Sequence, residues 1–489
     1  MNVKKIFEKY NDFPIQVKAS LWFTVCNILQ KGISLLTTPL FTRLLTTYEY
    51  GNCTIFYSWY SLISIFATLN LSAGVYNNGL TKYENKRDEV STAFLLLSSL
   101  VTGITFFIYC IGRSKWNQLF QLNTSAVYLM FIQLLFEPAY TFWMVRQRYE
   151  YKYKNVVLIT IIVSVLNPLL SALAVQAAQD KYMARVFVGV IIQSLIGFYF
   201  YLHTIAKTKR FSVIKYWKYA LTFNLPLIPH YLSMVVLNQI DRIMIGKFCG
   251  DDKAAIYAIA YNIAMMMTLI TNAINASLTP YIYQSIKRNN ITNVRKVTNY
   301  LLVLMVLLCF GVMLIAPELI RIFATKEYYE AIWIIPPVAV SVFFMFLYNL
   351  FGNIEFYYEK TLFIMVASCV GAILNGVLNA AFIPIFGYYA AGYTTLFCYT
   401  VFAVSHYVFY RIIVRKKDDV KGIYNGKIIL FCSIFISILM IFTSLLYNNM
   451  YVRYTIIIVC TICMFVFRKK IIELLAMLKK RRPAMKSQP

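Results

Sequence analysis

Successive loops of this chain alternate between many and few basic residues, and this alternation constrains the fold more than any other feature. Cutting the sequence at its apolar stretches gives about fourteen segments long enough to cross a bilayer as helices, which takes roughly 20 residues each. Assigned to alternate sides of a membrane, the loops and tails on the side of the N-terminus hold 35 Lys and Arg residues, and the opposite loops, together with Arg453 at the start of the last segment, hold 11. A missed or additional span would move every later loop to the other side of the membrane and reduce the difference between the two Lys and Arg counts. The asymmetry therefore predicts fourteen spans with both termini in the cytoplasm.

The composition excludes a soluble protein. Hydrophobic residues make up 60% of the 489 residues and charged residues only 14%, which is too little charge to cover a soluble surface of this size. The net charge of +27 would also suit nucleic-acid binding, but the largest basic clusters each follow an apolar segment, where positive charge marks the cytoplasmic side. The partner that these charges indicate is the lipid bilayer, and no nucleic acid is expected.

The sequence lacks the motifs that would hold a cofactor. Its ten cysteines are scattered, mostly through apolar segments, so we expect neither disulfides nor a metal site. No segment matches the glycine-rich loops that bind nucleotides. We therefore expect a protein that is not an enzyme and carries no cofactor. Any uphill step would draw on an H⁺ or Na⁺ gradient or on coupling to another process.

The predicted spans contain an internal repeat. They are Ser20–Thr42, Cys53–Ala73, Thr92–Gly112, Ala126–Val145, Val156–Ala177, Val186–Ile205, Tyr219–Ile240, Ala254–Leu278, Val297–Ala316, Ala331–Leu350, Leu362–Ile383, Tyr389–Tyr410, Ile428–Tyr447 and Tyr451–Phe467. Arg43 follows the first span with Gly51 eight residues later, and Arg242 follows the seventh span with Gly250 eight residues later. The first six spans and the next six are therefore interpreted as two copies of one unit.

The repeat predicts the architecture. His203 and His406 fall at the cytoplasmic ends of spans six and twelve, so the matched features share a spacing of roughly 200 residues. Because six is an even number, the copies have the same orientation and form a parallel pseudo-twofold repeat. The predicted fold is an all-α polytopic membrane protein with a six-helix bundle at residues 1–210 and a second at 211–417. Two extra transmembrane helices and a basic cytoplasmic tail follow at 418–489. This arrangement is typical of alternating-access transporters, whose substrate site lies between the two halves.

Lys31 is the strongest candidate for a functional residue. It lies eleven residues from either end of its predicted span, about 16 Å along a helix, and a lysine side chain of about 6 Å cannot carry its charge to either interface. An isolated charge at that depth costs at least ~2.5 kcal/mol, so Lys31 must face a wet cavity or an acidic partner. Gln30 and, one turn earlier, Asn27 make that side of the helix polar. We expect a cavity-facing cation for an anionic substrate, and the alternative is a structural salt bridge.

The seventh span is the next most polar. Pro226 and Pro229 interrupt the helix ladder, which a membrane tolerates only where protein or water replaces the lost partners, so a bent, cavity-lining helix is expected. His230 is a candidate to bind a phosphate, and the alternative is a neutral histidine satisfied by a neighbouring helix. Arg242 is a further candidate to bind substrate, although it would also serve as an anchor at the interface. Asp241 is a candidate for ion coupling.

The fourth span contributes a central acid and a basic end. Glu137 is the best-placed acid for ion coupling or for pairing with Lys31. Arg146 follows at the cytoplasmic end of the span and is another candidate to bind substrate. Glu355 and Glu359 lie at the inner end of span ten, where we expect a boundary role.

Several of these residues stand in recognisable motifs. They are Gln30-Lys31-Gly32, Pro39, Thr42-Arg43-Leu44-Leu45, Glu49-Tyr50-Gly51, Leu225-Pro226-Leu227-Ile228-Pro229-His230 and Asp241-Arg242-Ile243-Met244-Ile245. Together they resemble the polysaccharide transporter family, the Wzx-type flippases. The resemblance implies a fold like that of the multidrug and toxin extrusion (MATE) superfamily, with two six-helix bundles around a V-shaped cavity and two extra helices.

The resemblance also implies a substrate. Members of this family move oligosaccharide linked to undecaprenyl diphosphate across the bacterial inner membrane, for lipopolysaccharide O-antigen or capsule, and a polysaccharide polymerase and a chain-length regulator would be partners. A cation such as Lys31 in a wet cavity fits the diphosphate, while the lipid tail stays in the bilayer. Three alternatives remain: a peptidoglycan-precursor (lipid II) flippase, a cation-coupled multidrug exporter with an acidic cavity, and a membrane scaffold that transports nothing.

Overall fold

A computed structural model describes residues 14–208, 213–288, 290–417 and 420–466, and the regular elements in these ranges are all helical. The earlier helices are α1 (Ile15–Leu44), α2 (Thr47–Ala67), α3 (Val75–Lys82), α4 (Arg87–Ile111), α5 (Arg113–Phe120), α6 (Thr124–Tyr149), α7 (Tyr153–Ala177), α8 (Lys181–Ala206), α9 (Val213–Asn224) and α10 (Ile228–Cys249). The later helices are α11 (Asp251–Met265), α12 (Met267–Lys287), α13 (Ile291–Leu314), α14 (Ala316–Phe323), α15 (Ile335–Tyr357), α16 (Thr361–Phe386), α17 (Tyr389–Arg415), α18 (Gly426–Leu446) and α19 (Met450–Val466). The predicted basic tail that follows α19 lies outside the described residues.

Each predicted span overlaps a helix or a pair of consecutive helices, although the second predicted span, Cys53–Ala73, runs six residues beyond the end of α2 at Ala67. Within the described part of the chain, ten helical segments are long and apolar enough to cross a membrane, or eleven if α5 and α6, which meet at 90°, form one span. Helices α1, α2 and α19 overlap predicted spans but do not meet this criterion of length and apolar composition. The prediction of an all-α, multi-pass membrane protein is confirmed.

The seventh predicted span is an interrupted helix. Its two parts, α9 and α10, are separated by a 3₁₀ turn at Leu225–Leu227. Pro226 lies in that turn and Pro229 in the first turn of α10. Both positions fit proline, because the missing N–H groups would have no helical partner there. The predicted break in the helix ladder is confirmed.

The sequence repeat matches the connection between α1 and α2 with the connection between α10 and α11. Both connections are short. Between α1 and α2, the hydroxyl of Thr46 accepts a hydrogen bond from the amide of Glu49, and the Glu49 carboxylate accepts one from the amide of Thr46 over 2.8 Å. This capping box starts α2 directly after α1. Between α10 and α11 the single linking residue is Gly250, whose φ of +98° favours glycine.

The described residues form two compact units. The first runs to Ile256 and includes Phe323–Glu327, and the second contains Tyr257–Ile322 and the residues from Tyr328 onward. The predicted domain boundaries at residues 210 and 417 stay a prediction.

In the first unit, α8 packs closely along α6. A Cβ added at Gly197 of α8 would lie 2.4 Å from the carbonyl oxygen of Phe136 and 2.9 Å from the amide nitrogen of Glu137. Glycine at this position therefore lets the two backbones touch. The same unit packs α1 on α7 and α10 on α2.

In the second unit, α15 is the central helix. Of the membrane segments in the described residues it is the most enclosed, and it packs mainly against α17. The ring of Phe351 on α15 lies 5.6 Å from that of Tyr410 on α17, and the Tyr424 hydroxyl donates to the carbonyl of Leu350 over 2.8 Å. These contacts place any polar side chain between α15 and α17 away from bulk solvent.

Candidate functional site

A line of polar side chains follows one face of α1. Its members are Ser20, Thr24, Asn27, Lys31, Ser34 and Thr38, which we call the polar stripe. Their alternating spacing of four and three residues keeps them on one side of a helix. All are exposed except Thr38, which is half-buried, and Gln30 beside Lys31 is exposed as well. Only Asn27, Gln30 and Lys31 of this region were predicted to be functional, although the spacing that extends the stripe is visible in the sequence.

The polar stripe spans most of a bilayer. From Ser20 to Thr38 it measures about 27 Å at 1.5 Å per residue, and the hydrocarbon core of a membrane is about 30 Å thick. Thr24 and Thr38 satisfy their hydroxyls on helix carbonyls of Ser20 and Ser34, at 2.8 and 3.1 Å. The side-chain amides of Asn27 and of the neighbouring Gln30 and the ammonium of Lys31 are exposed and are available to a ligand or to water.

Lys31 forms no ion pair with any of the described residues. It stands sixteen residues after the first residue of α1 and thirteen before the last. At that depth an unpaired ammonium is tolerated only in contact with water, a lipid phosphate or an anionic ligand. Among the described residues Lys31 thus has no structural salt bridge, and its role as a water-facing cation stays a prediction.

Glu137 does not serve as the partner of Lys31. Its Oε2 accepts hydrogen bonds from the Tyr60 hydroxyl over 2.5 Å and from the Gln133 side-chain amide over 2.6 Å. Tyr60 is on α2 and Gln133 on α6, so the carboxyl group links these two helices. Its hydrogen-bond donors are neutral, which leaves its protonation state free to follow the polarity of its surroundings.

Arg146 lies in an ion-pair network at the end of α6. Its guanidinium contacts Asp88 Oδ1 over 2.5 Å and Glu150 Oε1 over 3.0 Å, and Lys152 contacts Glu150 Oε2 over 2.5 Å. Burial opposes ionisation of Glu150, but the hydrogen bonds from Lys152 and Arg146 outweigh it and hold the pKa of this carboxyl below its usual value. The charge of Arg146 is thus compensated by two acids.

The candidates on α10 are placed apart from one another. The Nδ1 atom of His230 is buried and has no hydrogen-bond partner within the described ranges. Arg242 is buried near the far end of α10, where it donates to Gln239 Oε1 over 2.6 Å; that oxygen also accepts from the Ser58 hydroxyl of α2 over 3.1 Å. Asp241, next to it, is buried too. Arg242 therefore belongs to a polar contact of the α2–α10 packing.

The second unit holds an acid–histidine pair that sequence analysis did not assign to a site. Glu355 of α15 and His406 of α17 are buried against each other, with His406 Nδ1 2.8 Å from Glu355 Oε2. The two residues are 51 positions apart in the chain, so only the packing of α15 on α17 reveals the pair. The available signal was the presence of a histidine and a glutamate in segments that are otherwise apolar.

Comparison with known families gives two matches. The model of the family described as polysaccharide biosynthesis protein matches residues 17–286, more than half of the chain. The MatE family model matches residues 226–381. A protein of the Lsg locus of Haemophilus influenzae is 22% identical over 375 residues, which cover 73% of this chain and 88% of that protein.

Solved structures share the fold. The lipid II flippase MurJ in an inward closed conformation has a TM-score of 0.69 and 12% identity, covering 92% of this chain and 100% of that one. An inward-facing MATE family multidrug resistance transporter has a TM-score of 0.61 and 15% identity, covering 80% of this chain and 96% of that one. The MATE-like fold that the sequence motifs implied is confirmed.

Proposed function

We propose that this chain, which belongs to the polysaccharide biosynthesis protein family, is a flippase that moves oligosaccharide linked to undecaprenyl diphosphate across the bacterial inner membrane by alternating access. It would move this substrate without altering it covalently. The glycan would serve lipopolysaccharide O-antigen, capsule or a similar polymer, and a polymerase and a chain-length regulator would act on it afterwards.

The polar stripe of α1 is the observation that carries this proposal. A lipid-linked oligosaccharide has a headgroup that must cross about 30 Å of hydrocarbon, and the stripe offers polar contacts over about 27 Å of helix. Asn27, Gln30 and the serines can exchange hydrogen bonds with sugar hydroxyls. The isoprenoid tail needs no such path, because it is as apolar as the bilayer.

Lys31 gives the stripe its charge selectivity. Its ammonium lies near the middle of the stripe and can contact the diphosphate as the headgroup passes. A mobile anion must be held weakly enough to leave, and a single flexible lysine satisfies this better than a bidentate arginine cluster would. His230 is a second candidate contact, because its buried Nδ1 is without a hydrogen-bond partner among the described residues.

Glu137 is the candidate in the first unit for coupling to an ion gradient. Its carboxyl accepts hydrogen bonds from Tyr60 and Gln133 and is surrounded by packed helices, so binding H⁺ or Na⁺ there would change the charge of a buried site. Such a change can bias one conformation of a transporter over another.

The charge of the stripe separates the alternatives. A multidrug exporter for cationic compounds would need an acid where Lys31 stands, so the stripe argues against that function. A peptidoglycan-precursor flippase would carry a diphosphate too, and the stripe is compatible with it. The scaffold hypothesis gives the stripe no role.

The deciding experiment is made in cells of the source organism whose own copy of the gene has been deleted. The full chain should restore surface glycan, and its absence should cause undecaprenyl-diphosphate-linked oligosaccharide to accumulate. Accumulation of peptidoglycan precursor with cell lysis would favour the lipid II alternative, and a loss of resistance to cationic compounds alone would favour the exporter. Normal lipid-linked pools in the deletion strain would refute transport of either lipid.

A further inference from the structure

The Glu355–His406 pair joins α15 to α17 inside the second unit. Nδ1 of His406 lies 2.9 Å from Oε1 and 2.8 Å from Oε2 of Glu355. The side chains are 3% and 0% exposed for the histidine and the glutamate, respectively. Both belong to segments long and apolar enough to cross a membrane. A carboxyl group and an imidazole thus share a hydrogen bond away from bulk water.

We propose that this pair is a proton-binding site that takes up and releases one H⁺ in each transport cycle. The inference rests on the transport function proposed above and adds to it a coupling ion and a location in the second unit.

A second acid–base pair in the same unit shows why a histidine, and not an arginine, is suited to bind and release a proton. Arg453 of α19 contacts Glu318 of α14 through two bonds, Nη1–Oε2 at 2.7 Å and Nη2–Oε1 at 2.6 Å. A guanidinium does not lose its proton in proteins, so that pair keeps its charges at any physiological pH. An imidazole exchanges its proton in the physiological range. Of these two pairs, only Glu355 with His406 can change its proton count in the physiological pH range.

Stabilisation alone does not account for the pair. Helices α15 and α17 are already held together by aromatic contacts, such as the stacking of Tyr348 on Tyr399. Replacing a buried ion pair with well-packed apolar residues is often neutral or stabilising. A purely structural role would therefore be filled as well by apolar side chains.

The surroundings isolate the pair from other charges. The rings that contact the imidazole are Tyr348 of α15, Phe363 of α16, and Phe402 of α17. Of these only Tyr348 can titrate. From α12, Tyr283 packs on Tyr357 at the end of α15. From α13, Arg295 donates to the carbonyl of Gly422.

The other charged groups nearby point to solvent. Glu359 and Lys360 after α15, Lys427 at the start of α18, and the basic residues at the end of α17 are exposed. Within the described residues, His406 is the basic group that faces Glu355.

The proton balance of the step is simple. With one proton, the pair has no net charge, either as carboxylate and imidazolium or as carboxylic acid and imidazole. Release of that proton to water leaves a carboxylate and a neutral imidazole, with a net charge of −1, and uptake reverses the step. A net charge in an apolar site is costly, so the deprotonated pair favours a conformation that water can enter.

The position of the pair indicates where the proton exchanges. Glu355 is two residues from the end of α15, and His406 is nine residues before the end of α17. These ends precede loops that the sequence analysis assigns to the cytoplasm. The proton is therefore exchanged with the cytoplasm in at least one state of the cycle.

The first experiment follows the imidazole directly and needs no substrate. The chain has three histidines, so the full-length protein, labelled with ¹⁵N-histidine and purified with a histidine-free tag, gives signals that His203→Gln, His230→Gln and His406→Gln assign. We expect the His406 signal to report proton uptake and release as the pH is varied through the physiological range, and we expect this response to change in Glu355→Gln because the facing carboxylate is lost. Glu359→Gln removes an exposed acid four residues away and should leave the signal unchanged. A His406 signal that stays constant over this range, or that ignores Glu355→Gln, overturns the proposal.

The second experiment measures coupling in cells. Glycan export is compared with and without a protonophore while ATP is maintained. Glu355→Gln and His406→Gln should lose most of the dependence on the proton gradient, and Glu355→Asp, which keeps an ionisable carboxyl, should retain it. His203→Gln is the matched control, because His203 is at the corresponding position of α8 and has no carboxylate partner in the described ranges.

The two experiments separate this proposal from the function it rests on. If both pair variants keep the gradient dependence of the wild type, the proton site is refuted while the flippase function stands. If the wild type restores no glycan, the proposed function fails, and the imidazole titration still decides whether the pair binds a proton. Should Glu355→Gln not accumulate in the membrane, His406→Asn, close in size to the imidazole, makes the same test.

Discussion

Gly51 of α2 touches the backbone of Asp251 at the start of α11: a Cβ added at residue 51 would lie 1.8 Å from the Asp251 carbonyl oxygen. Gly51 and Gly250 are the two glycines that the sequence repeat pairs, and each follows an arginine by eight residues. The joints after the first and seventh spans therefore meet within the first unit. Glycine at residue 51 permits this contact because any side chain would enter the space of the facing backbone.

Gly51→Ala should destabilise the protein. The facing atom belongs to a helix backbone, which cannot move aside as a side chain would, so overpacking of roughly 1–3 kcal/mol or more is expected. The measurement is the apparent midpoint of thermal unfolding of the purified protein in detergent. Gly103→Ala on α4 is the matched control, since no atom of the described residues lies within 4 Å of a Cβ added there. That control should be neutral or stabilising by up to ~1 kcal/mol. Equal midpoints for the two variants would contradict the close contact.

Much of the fold could be predicted from the sequence because each membrane span is determined by the residues of one continuous segment. Apolar length and the distribution of Lys and Arg depend on one segment at a time. The same holds for Lys31, which is conspicuous inside an apolar helix, and for the break at Pro226 and Pro229. These predictions needed no knowledge of which helices touch.

The contacts between polar side chains of different helices could not be predicted from the sequence, because they depend on which helix faces pack together. Tyr60 and Glu137 are 77 residues apart and Glu355 and His406 are 51 apart, and no spacing rule connects them. The prediction that Glu355 has a boundary role reflected its place near a span end. Its complete burial results from α17 packing across that end.

Lys31→Ala should leave the protein in the membrane and reduce surface glycan, with accumulation of lipid-linked oligosaccharide. The reason is that the cation in the middle of the polar stripe is lost while no hydrogen bond or ion pair with a described residue is broken. Lys31→Arg should retain part of the activity, because the charge remains but its geometry differs. Lys360→Ala removes an exposed lysine outside the helices and serves as the control. Full glycan export by Lys31→Ala at normal protein level would eliminate the role of this residue.

The length of the polar stripe can be tested separately from its charge. Ser34→Leu and Thr24→Leu place apolar side chains on the stripe about one turn after and two turns before Lys31, and both should slow export because sugar hydroxyls lose partners there. Ile28→Leu alters an exposed apolar residue off the stripe and should have no effect. Radiolabelled lipid-linked oligosaccharide pools give the rate. If the three variants behave alike, the stripe is not the path of the headgroup.

Glu137→Gln should lower the rate of export and its dependence on the ion gradient together. An amide keeps the hydrogen bond to one neighbour but cannot gain or lose a proton or bind a cation as a carboxylate does. Tyr60→Phe removes a hydrogen bond to the same carboxyl and leaves it ionisable, so it should retain the gradient dependence. Export is measured with a protonophore or a sodium ionophore present. Unchanged dependence in Glu137→Gln would exclude this residue as a coupling site.

The predicted topology can be tested with reporter fusions. Fusions after Lys207 and after Lys417 should report the cytoplasm, because both follow basic ends of helices. A fusion near Asn448, between α18 and α19, should report the opposite side. An external signal from either basic loop would overturn the orientation and the span count downstream of it.

The Glu318–Arg453 pair should make the attachment of α19 sensitive to acid. Burial opposes ionisation of Glu318, but the hydrogen bonds from Arg453 and Tyr454 outweigh it and hold the pKa of this carboxyl below its usual value. Because the folded state has the lower pKa, the stabilisation is fully present above about pH 4.5 and is lost as the pH falls through the folded value. Glu318→Gln should therefore cost roughly 1.5–3 kcal/mol at neutral pH, where a charged hydrogen bond is lost, and progressively less in acid. Thermal unfolding midpoints of the wild type and of Glu318→Gln, compared at neutral pH and near pH 4, should converge in acid; a constant difference would show that the ionised pair contributes nothing to stability.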